Sequence, residues 1–488
     1  MALKQLSVFF FCLFYGQFVI ASGCNQIHCQ VSVCAPNADE AYNVASLGLV
    51  AIMGPDCASW QPNSPVSGGQ GACANGLQTF TGAFDIWRGW NAMGGDYSAT
   101  FAQWGNFLGA TCTGGKTVSC DPKSGQYPNP VTGKCQTRQC CVETMGSPTI
   151  EWFGATTFRL RANGLVLFLD TWLERPSVLP KHLDIDDVTE ADYIFISHAH
   201  FDHLPGADKI AKKTGAVVIA NGEAITLLRD AGVHESQLFP VAGGERIPLF
   251  TKDDREAAVD GKIPIADGPP GMPARPSHSR AVMSVHVWPS LHALMPGSGH
   301  HDIPEEIDTG TVYKGEATPY TCSLDITMGM KYGLLRMNEN MPPERMDDGM
   351  KSFAEYISDR KNNVFSHYDG GQLAYNFIIG PGQTVFWNGH LGGYEGIIKS
   401  IEPTPDVAIL TIAGRANLNG RPYNGSAAQF ATNQVRWLSQ PKKVIWALHD
   451  EGAIKPYRVN TAAATAMVHA QTSSTVEELD FGLAKPLF

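Results

Sequence analysis

The stretch ISHAHFDHLPG, residues 196–206, sets His198, His200, Asp202 and His203 within six positions, directly after the apolar run YIFI. On an extended or tightly turning backbone His198 and His200 point the same way, because side chains alternate faces, so the two share one metal position. Asp202 and His203 fall on the turn closed by Leu204-Pro205-Gly206 and face a second position beside the first. Imidazole nitrogen and carboxylate oxygen suit a borderline ion such as Zn2+, which in catalytic sites keeps one coordination position for water. A divalent ion lowers the pKa of that water enough to supply hydroxide at neutral pH, the nucleophile that hydrolysis needs. The plain alternative is an exposed polar loop. So many ligand types packed behind a buried strand speak against it.

Four side chains from one loop do not complete two metal positions, so the chain has to return others. Strand ends are where a scaffold holds side chains rigidly. His292 follows SVHVWPSL, His390 follows TVFWNG and His449 follows VIWAL, each directly behind an apolar run. His286 lies inside its strand and reads as structural. His278, His300, His301 and His367 sit in loop-like contexts, as weaker candidates for contact with substrate or metal.

Around these positions the chain alternates. TIEWFGATTFRLRANGLVLFLD reads as β-rich runs joined by the turn Ala162-Asn163-Gly164. Then ADYIFIS is a strand, LPGADKIAKKTG a helix, AVVIAN a strand and EAITLLRDAG a helix. Residues 251–360 are irregular and rich in Pro, Gly and Met, an insertion of the kind that forms a lid or pocket wall. Its methionines, from Met328 to Met350, suit either a substrate wall or core filling. The last third repeats the first: LAYNFIIG and QTVFWNG flank Pro381-Gly382, followed by a helix, the strand DVAILTIA, the helix AAQFATNQVRWLSQ and the strand KKVIWALHD. Such alternation builds α/β layers in which helices cover a sheet.

The beginning of the chain has another character. MALKQLSVFFFCLFYGQFVIASG has the three-part pattern of a secretory signal peptide over residues 1–21. Less favoured are a signal anchor and a lipid anchor at Cys24. Ten cysteines lie between Cys24 and Cys141, and only Cys322 follows. That density reads as a disulfide-stapled, loop-rich region over residues 22–147, with a few short helices, in an oxidising compartment, either extracellular or periplasmic. Trp87, Trp90, Trp104 and Phe107 suit its small core, or a face that contacts a polymer or surface. With a net charge of −11 and no Lys/Arg block, a nucleic-acid partner is excluded. No later segment is apolar enough over enough length to span a membrane.

The HxHxDHLPG stretch, the preceding EWFGATTFRLRANGLVLFLDTW and the strand-end histidines together resemble the metallo-β-lactamase superfamily. Within it, the likeness is to the branch holding ascorbate-6-phosphate lactonases and the phospholipases D that cleave N-acylphosphatidylethanolamine. The resemblance spans roughly residues 148–455 and implies a four-layered αββα sandwich, with 456–488 as a carboxy-terminal extension. It also implies one or two Zn2+ ions: His198, His200 and His292 on the first, Asp202, His203 and His449 on the second. Asp202 would orient the nucleophile, and an Asp would bridge the two ions. That bridging position reads Asn388-Gly389-His390-Leu391 here, with His390 where the carboxylate belongs. A neutral imidazole offers one lone pair and cannot bridge. Asp325, Asp369 and Asp406 are the other carboxylates considered for that place.

A secreted, metal-dependent hydrolase of a lactone, ester or amide follows, acting on a small-molecule or lipid-like substrate. His390, if it is not a ligand, shuttles a proton to the leaving group. The absence of a Lys/Arg cluster favours carbonyl over phosphate chemistry. The alternatives are a phosphodiesterase of phospholipase D type on the same scaffold, and a binding protein that has lost turnover.

Overall fold

In the run LVLFL every side chain is buried, and successive residues serve two different cores. In the computed structural model, Leu165, Leu167 and Leu169 join one apolar cluster while Val166 and Phe168 join another. A strand covered on both faces belongs at the middle of a layered fold. The structure describes residues 25–35, 60–62, 67–69, 73, 78–88, 97–101, 107–114, 126–128, 135–137, 148–294, 306–313, 323–380, 382–454 and 458–488. The signal-peptide reading, Cys24, Cys322, His300 and His301 lie outside them. The chain divides into two units, Met1–Met145 and Gly146–Phe488.

In the second unit the first sheet collects β1 (Thr149–Trp152), β2 (Phe158–Ala162), β3 (Leu165–Leu169), β4 (Tyr193–Phe195), β5 (Val217–Ala220) and β6 (Leu238–Pro240). The second collects β7 (Arg246–Leu249), β8 (Met283–Pro289), β9 (Leu373–Gly380), β10 (Gln383–Asn388), β11 (Val407–Thr411), β12 (Lys443–Ala447) and β13 (Thr475–Glu477). The chain then returns to the first sheet as β14 (Lys485–Pro486). The strand orders are β6-β5-β4-β3-β2-β1-β14 and β7-β8-β9-β10-β11-β12-β13. Each sheet is mixed. Antiparallel neighbours run from β1 to β3 and from β7 to β10, and parallel ones from β3 to β6 and from β10 to β13. The β2–β3 hairpin turns on Asn163 and Gly164, both at positive φ, as a two-residue turn matching the strand twist requires.

Between the sheets lies a core that draws Phe158, Leu160 and Phe195 from one and Val285, Phe377 and Trp387 from the other. Helices α1 (Ala207–Thr214) and α2 (Gly222–Asp230) cover the outer face of the first sheet through Ile210, Ala211, Ile225 and Leu228. On the outer face of the second, later helices at Ala427–Trp437 and Ala462–Gln471 seat Phe430, Val435, Ala464 and Val468 against Phe386, Leu410 and Trp446. Each fully buried side chain of this size contributes about 1.5–3 kcal/mol, so the two interfaces and the central core together hold the four layers.

Met337 and Met346 are buried with Trp172, Phe353 and Tyr356, as core filling, whereas Met328 is exposed. From within residues 456–488, expected to be an extension, β13 and β14 supply the outer strand of each sheet.

In the first unit the described residues form a six-stranded antiparallel sheet around Asn25–Ala35, flanked by Gln78–Arg88 and Phe107–Gly114, and the short helices expected there lie outside the described residues. In NQIHCQVSVCA the buried positions Cys29, Val31 and Val33 alternate with Gln30 and Ser32, but the small and polar residues weaken the apolar signal. Cys34 and Cys73 form a disulfide and Cys29 is also disulfide-bonded. Among the described residues, no helix is long and apolar enough to cross a membrane. The side chains of Trp87, Trp90, Trp104 and Phe107 lie outside the description.

Candidate metal centre

The histidines gather where strands of both sheets end. Phe195 closes β4, and Ile196 and Ser197 carry the chain into His198, His200, Asp202 and His203. His292 lies three residues beyond β8 and His390 two beyond β10. One nitrogen each from His198, His200 and His292 lies within 4.8 Å of the others, and so does one each from His198, His203 and His390. All five rings are buried.

The first group is the tighter. Nε2 of His198 lies 3.1 Å from Nδ1 of His200, which lies 3.1 Å from Nε2 of His292. Nitrogens bound at 2.0–2.1 Å around a tetrahedral zinc stand about 3.3 Å apart, so the donor set fits such an ion and leaves the fourth position open. Proton placement agrees. Nδ1 of His292 donates to its neighbour's carbonyl, Ala293 O, at 2.6 Å, leaving Nε2 with a lone pair. The Ser197 hydroxyl donates to Asp170, so its oxygen is free to accept from Nδ1 of His198 at 3.1 Å, which also leaves a lone pair on Nε2. Burial, reinforced by the neighbouring imidazoles, pushes His198 and His200 well below the ordinary histidine value; burial also lowers His292. Neutral rings are what a metal ion requires.

Asp170, unassigned in the sequence, organises the second group. It follows β3 in a left-handed conformation, φ 48°, and is fully buried. Its carboxylate accepts from Thr156 Oγ1 at 2.6 Å, Ser197 N at 2.8 Å, Ser197 Oγ at 2.8 Å and Nδ1 of His203 at 2.7 Å. The last bond turns Nε2 of His203 toward the centre, where it is buried with no hydrogen-bond partner and stands 3.5 Å from Asp202 Oδ1. Burial opposes a charge on His203, yet Asp202 and Asp170 outweigh it and raise the ring to about 10. Burial likewise opposes charge on Asp202, but the attraction of His203 prevails and lowers it to about 2.

His390 stacks on His292 with ring centroids 3.6 Å apart. Its Nδ1 accepts from Ala293 N at 3.4 Å, which places the ring proton on Nε2, buried and without a protein partner. Burial pushes this ring, too, well below the ordinary value.

His449 is not brought into either group. Leu448 before it has φ 58°, which redirects the chain after β12, and the His449 ring packs on Trp152 with centroids 4.6 Å apart. There it lines a separate cavity of ≈ 570 Å³ together with Arg175, His182, Asp450 and Phe481. Of the other carboxylates, Asp406 accepts from Thr384 N and Lys442 at the opposite end of β11. Asp369 accepts from Gly371 N while its carbonyl accepts from Ala199 N, between two of the histidines. The side chain of Asp325 lies outside the description.

The sandwich of two mixed sheets and the buried histidine groups are those of a metal-dependent hydrolase. Residues 178–310, which carry the HxHxDH turn, match the metallo-beta-lactamase superfamily. Among similar proteins is a UPF0173 metal-dependent hydrolase of Thermodesulfovibrio yellowstonii, 28% identical over 202 residues that make up 39% of this chain and 73% of that protein. Another, of Pyrobaculum calidifontis, is 35% identical over 100 residues, 20% of this chain and 44% of that protein. This chain therefore spans less than half of the second relative's length. Igni18, a metallo hydrolase of the archaeon Ignicoccus hospitalis, has 14% identity and a TM-score of 0.40 over 70% of this chain and 98% of its own.

Proposed function

We propose that the chain is a secreted zinc hydrolase of a lactone, ester or amide, holding one ion on His198, His200 and His292. The observation that carries this is the convergence of three ring nitrogens, with His200 Nδ1 3.1 Å from both His198 Nε2 and His292 Nε2, against a second group that lacks both a bridging carboxylate and His449. The disulfide Cys34–Cys73 supports an oxidising compartment. The likeness to the lactonase branch belongs to the same reading.

When bound, the ion would polarise the substrate carbonyl and acidify a water. The chain's own residues supply the rest. Asp202, ionised beside His203, accepts a hydrogen bond from the attacking water and orients it. Asp170 and Ser197 fix the tautomers of His203 and His198, so that the ring nitrogens facing the centre stay in place. His390, held neutral by burial with Nδ1 accepting from Ala293 N, keeps its Nε2–H and offers it as a hydrogen-bond donor to the charge that develops on the carbonyl oxygen or leaving group.

Elemental analysis of the purified protein and of His390→Asp tests this. About one zinc per wild-type chain, rising to about two when the carboxylate is restored, is the expected outcome. Two ions in the wild type would replace this reading with a dinuclear phosphodiesterase, and none in either would leave a binding protein.

A further inference from the structure

The chain after β11 carries a buried cation that the proposed chemistry does not use. Arg415 is 8% exposed. Its Nε and Nη2 are buried without a hydrogen-bond acceptor, and no carboxylate pairs with it among the described residues. An unpaired buried guanidinium is costly, and proteins ordinarily give it a partner. The other buried arginine among the described residues, Arg175, is paired with Asp450 at 2.8 Å.

Its location is specific. Leu294 N donates to Arg415 O at 2.8 Å and Arg415 N to Leu294 O at 3.2 Å, which ties it to the segment two residues beyond His292. Asn417, two residues on, donates from Nδ2 to His292 O at 2.9 Å and from its backbone N to Leu391 O at 3.1 Å, next to His390. The arginine backbone is thus clamped between the two segments that deliver His292 and His390. It leaves the same end of the second sheet, where the parallel strands finish and ligands ordinarily bind. Nε and Nη2 form one edge of the guanidinium, the edge that spans two oxygens of a carboxylate or a phosphate.

We propose that Arg415 is the anion-binding residue of this site, taking two oxygens of a carboxylate or phosphate group on the substrate. The inference rests on the hydrolase reading above and narrows its substrates to those bearing such a group near the scissile bond. It also corrects the expectation drawn from the lack of a Lys/Arg cluster, because one buried guanidinium suffices where many exposed ones are absent.

The test uses the zinc-loaded full chain and two probes, inorganic phosphate and succinate, titrated calorimetrically into wild type, Arg415→Gln and Arg415→Lys. Binding that weakens by about tenfold or more in Arg415→Gln and partly returns in Arg415→Lys supports the subsite. Phosphate alone then assigns a phosphoryl group and succinate alone a carboxylate. Equal affinity in all three proteins, as for an anion held only by zinc, overturns it, as does no binding of either probe. Should the variants fail to fold, phenylglyoxal labelling of wild type read by mass spectrometry decides. Protection of Arg415 by a probe supports the subsite; equal labelling with and without probe overturns it. Zinc content judges the hydrolase reading separately, so the two can fail independently.

Discussion

Asp170 touches no candidate substrate position, yet four hydrogen bonds end on its carboxylate and one of them sets the ring of His203. Asp170→Asn replaces an acceptor oxygen by a donor facing donors. Through Ser197 the same carboxylate holds the ligand His198, and partners that hold a ligating histidine typically change metal affinity by about 10–100-fold when mutated, so that loss is expected here in a zinc competition titration. Protons give a second prediction at this scale. His198, His200 and His292 are lowered and neutral at pH 7, so an ion on them displaces almost no proton from the rings. His203, raised to about 10, must lose a proton before it can ligate. Calorimetry in buffers of different ionisation enthalpy should show for wild type only the fraction of a proton that a zinc-held water with a pKa of about 7 releases, and about one proton more for the second ion of His390→Asp. In the metal-free protein the His203 charge contributes its full stability below the unfolded value of 6.5 and loses it as pH rises through about 10. Asp202 contributes fully above 3.8 and loses its share as pH falls through about 2. Denaturation midpoints across pH check both limbs.

At the scale of elements, the turn after β10 works by being empty. A Cβ on Gly389 would stand 2.6 Å from Cβ of Ser197 and 2.8 Å from its hydroxyl. Gly389→Ala therefore pushes Ser197 away from Asp170 and His198. Weaker zinc binding and a destabilisation of roughly 1–3 kcal/mol, seen as a lower melting temperature, are expected from titration and calorimetry. The strands and helices themselves were legible, because period-2 and period-3.6 patterns are local properties of VVIA, VAILT or AAQFATNQVRW. The histidines that converge were legible for a related reason, since each follows an apolar run. Asp170 and Arg415 were not. Asp170 ends such a run too, but one carboxylate without neighbours of its own type carries no motif, and its meaning comes from Thr156 and His203 across the fold. Arg415 follows its strand by four residues, in a segment whose burial depends on Leu294, far away in sequence. His449 shows the converse. Its position behind VIWAL matched the others, and a single left-handed residue, Leu448, turned it toward Trp152.

For the whole molecule, the second unit contains both seven-stranded sheets and the three apolar clusters that bind the layers. Residues 146–488 expressed alone are expected to melt cooperatively and to keep the zinc stoichiometry of the full chain, as differential scanning calorimetry and elemental analysis would show. Loss of the transition would mean that the disulfide-bonded unit is needed for folding. Both sheets of this unit, however, are finished by its last strands: β13 lies against β12, and β14 against β1. For a chain emerging from the ribosome this fixes an order of events. The strand made first waits at an open edge until nearly everything else has been synthesised, and so does β12 until Thr475–Glu477 appears. Over that interval both edges can pair with another nascent chain. A stop codon placed shortly before residue 475 should therefore yield aggregate in the expressing cell rather than a slightly smaller enzyme.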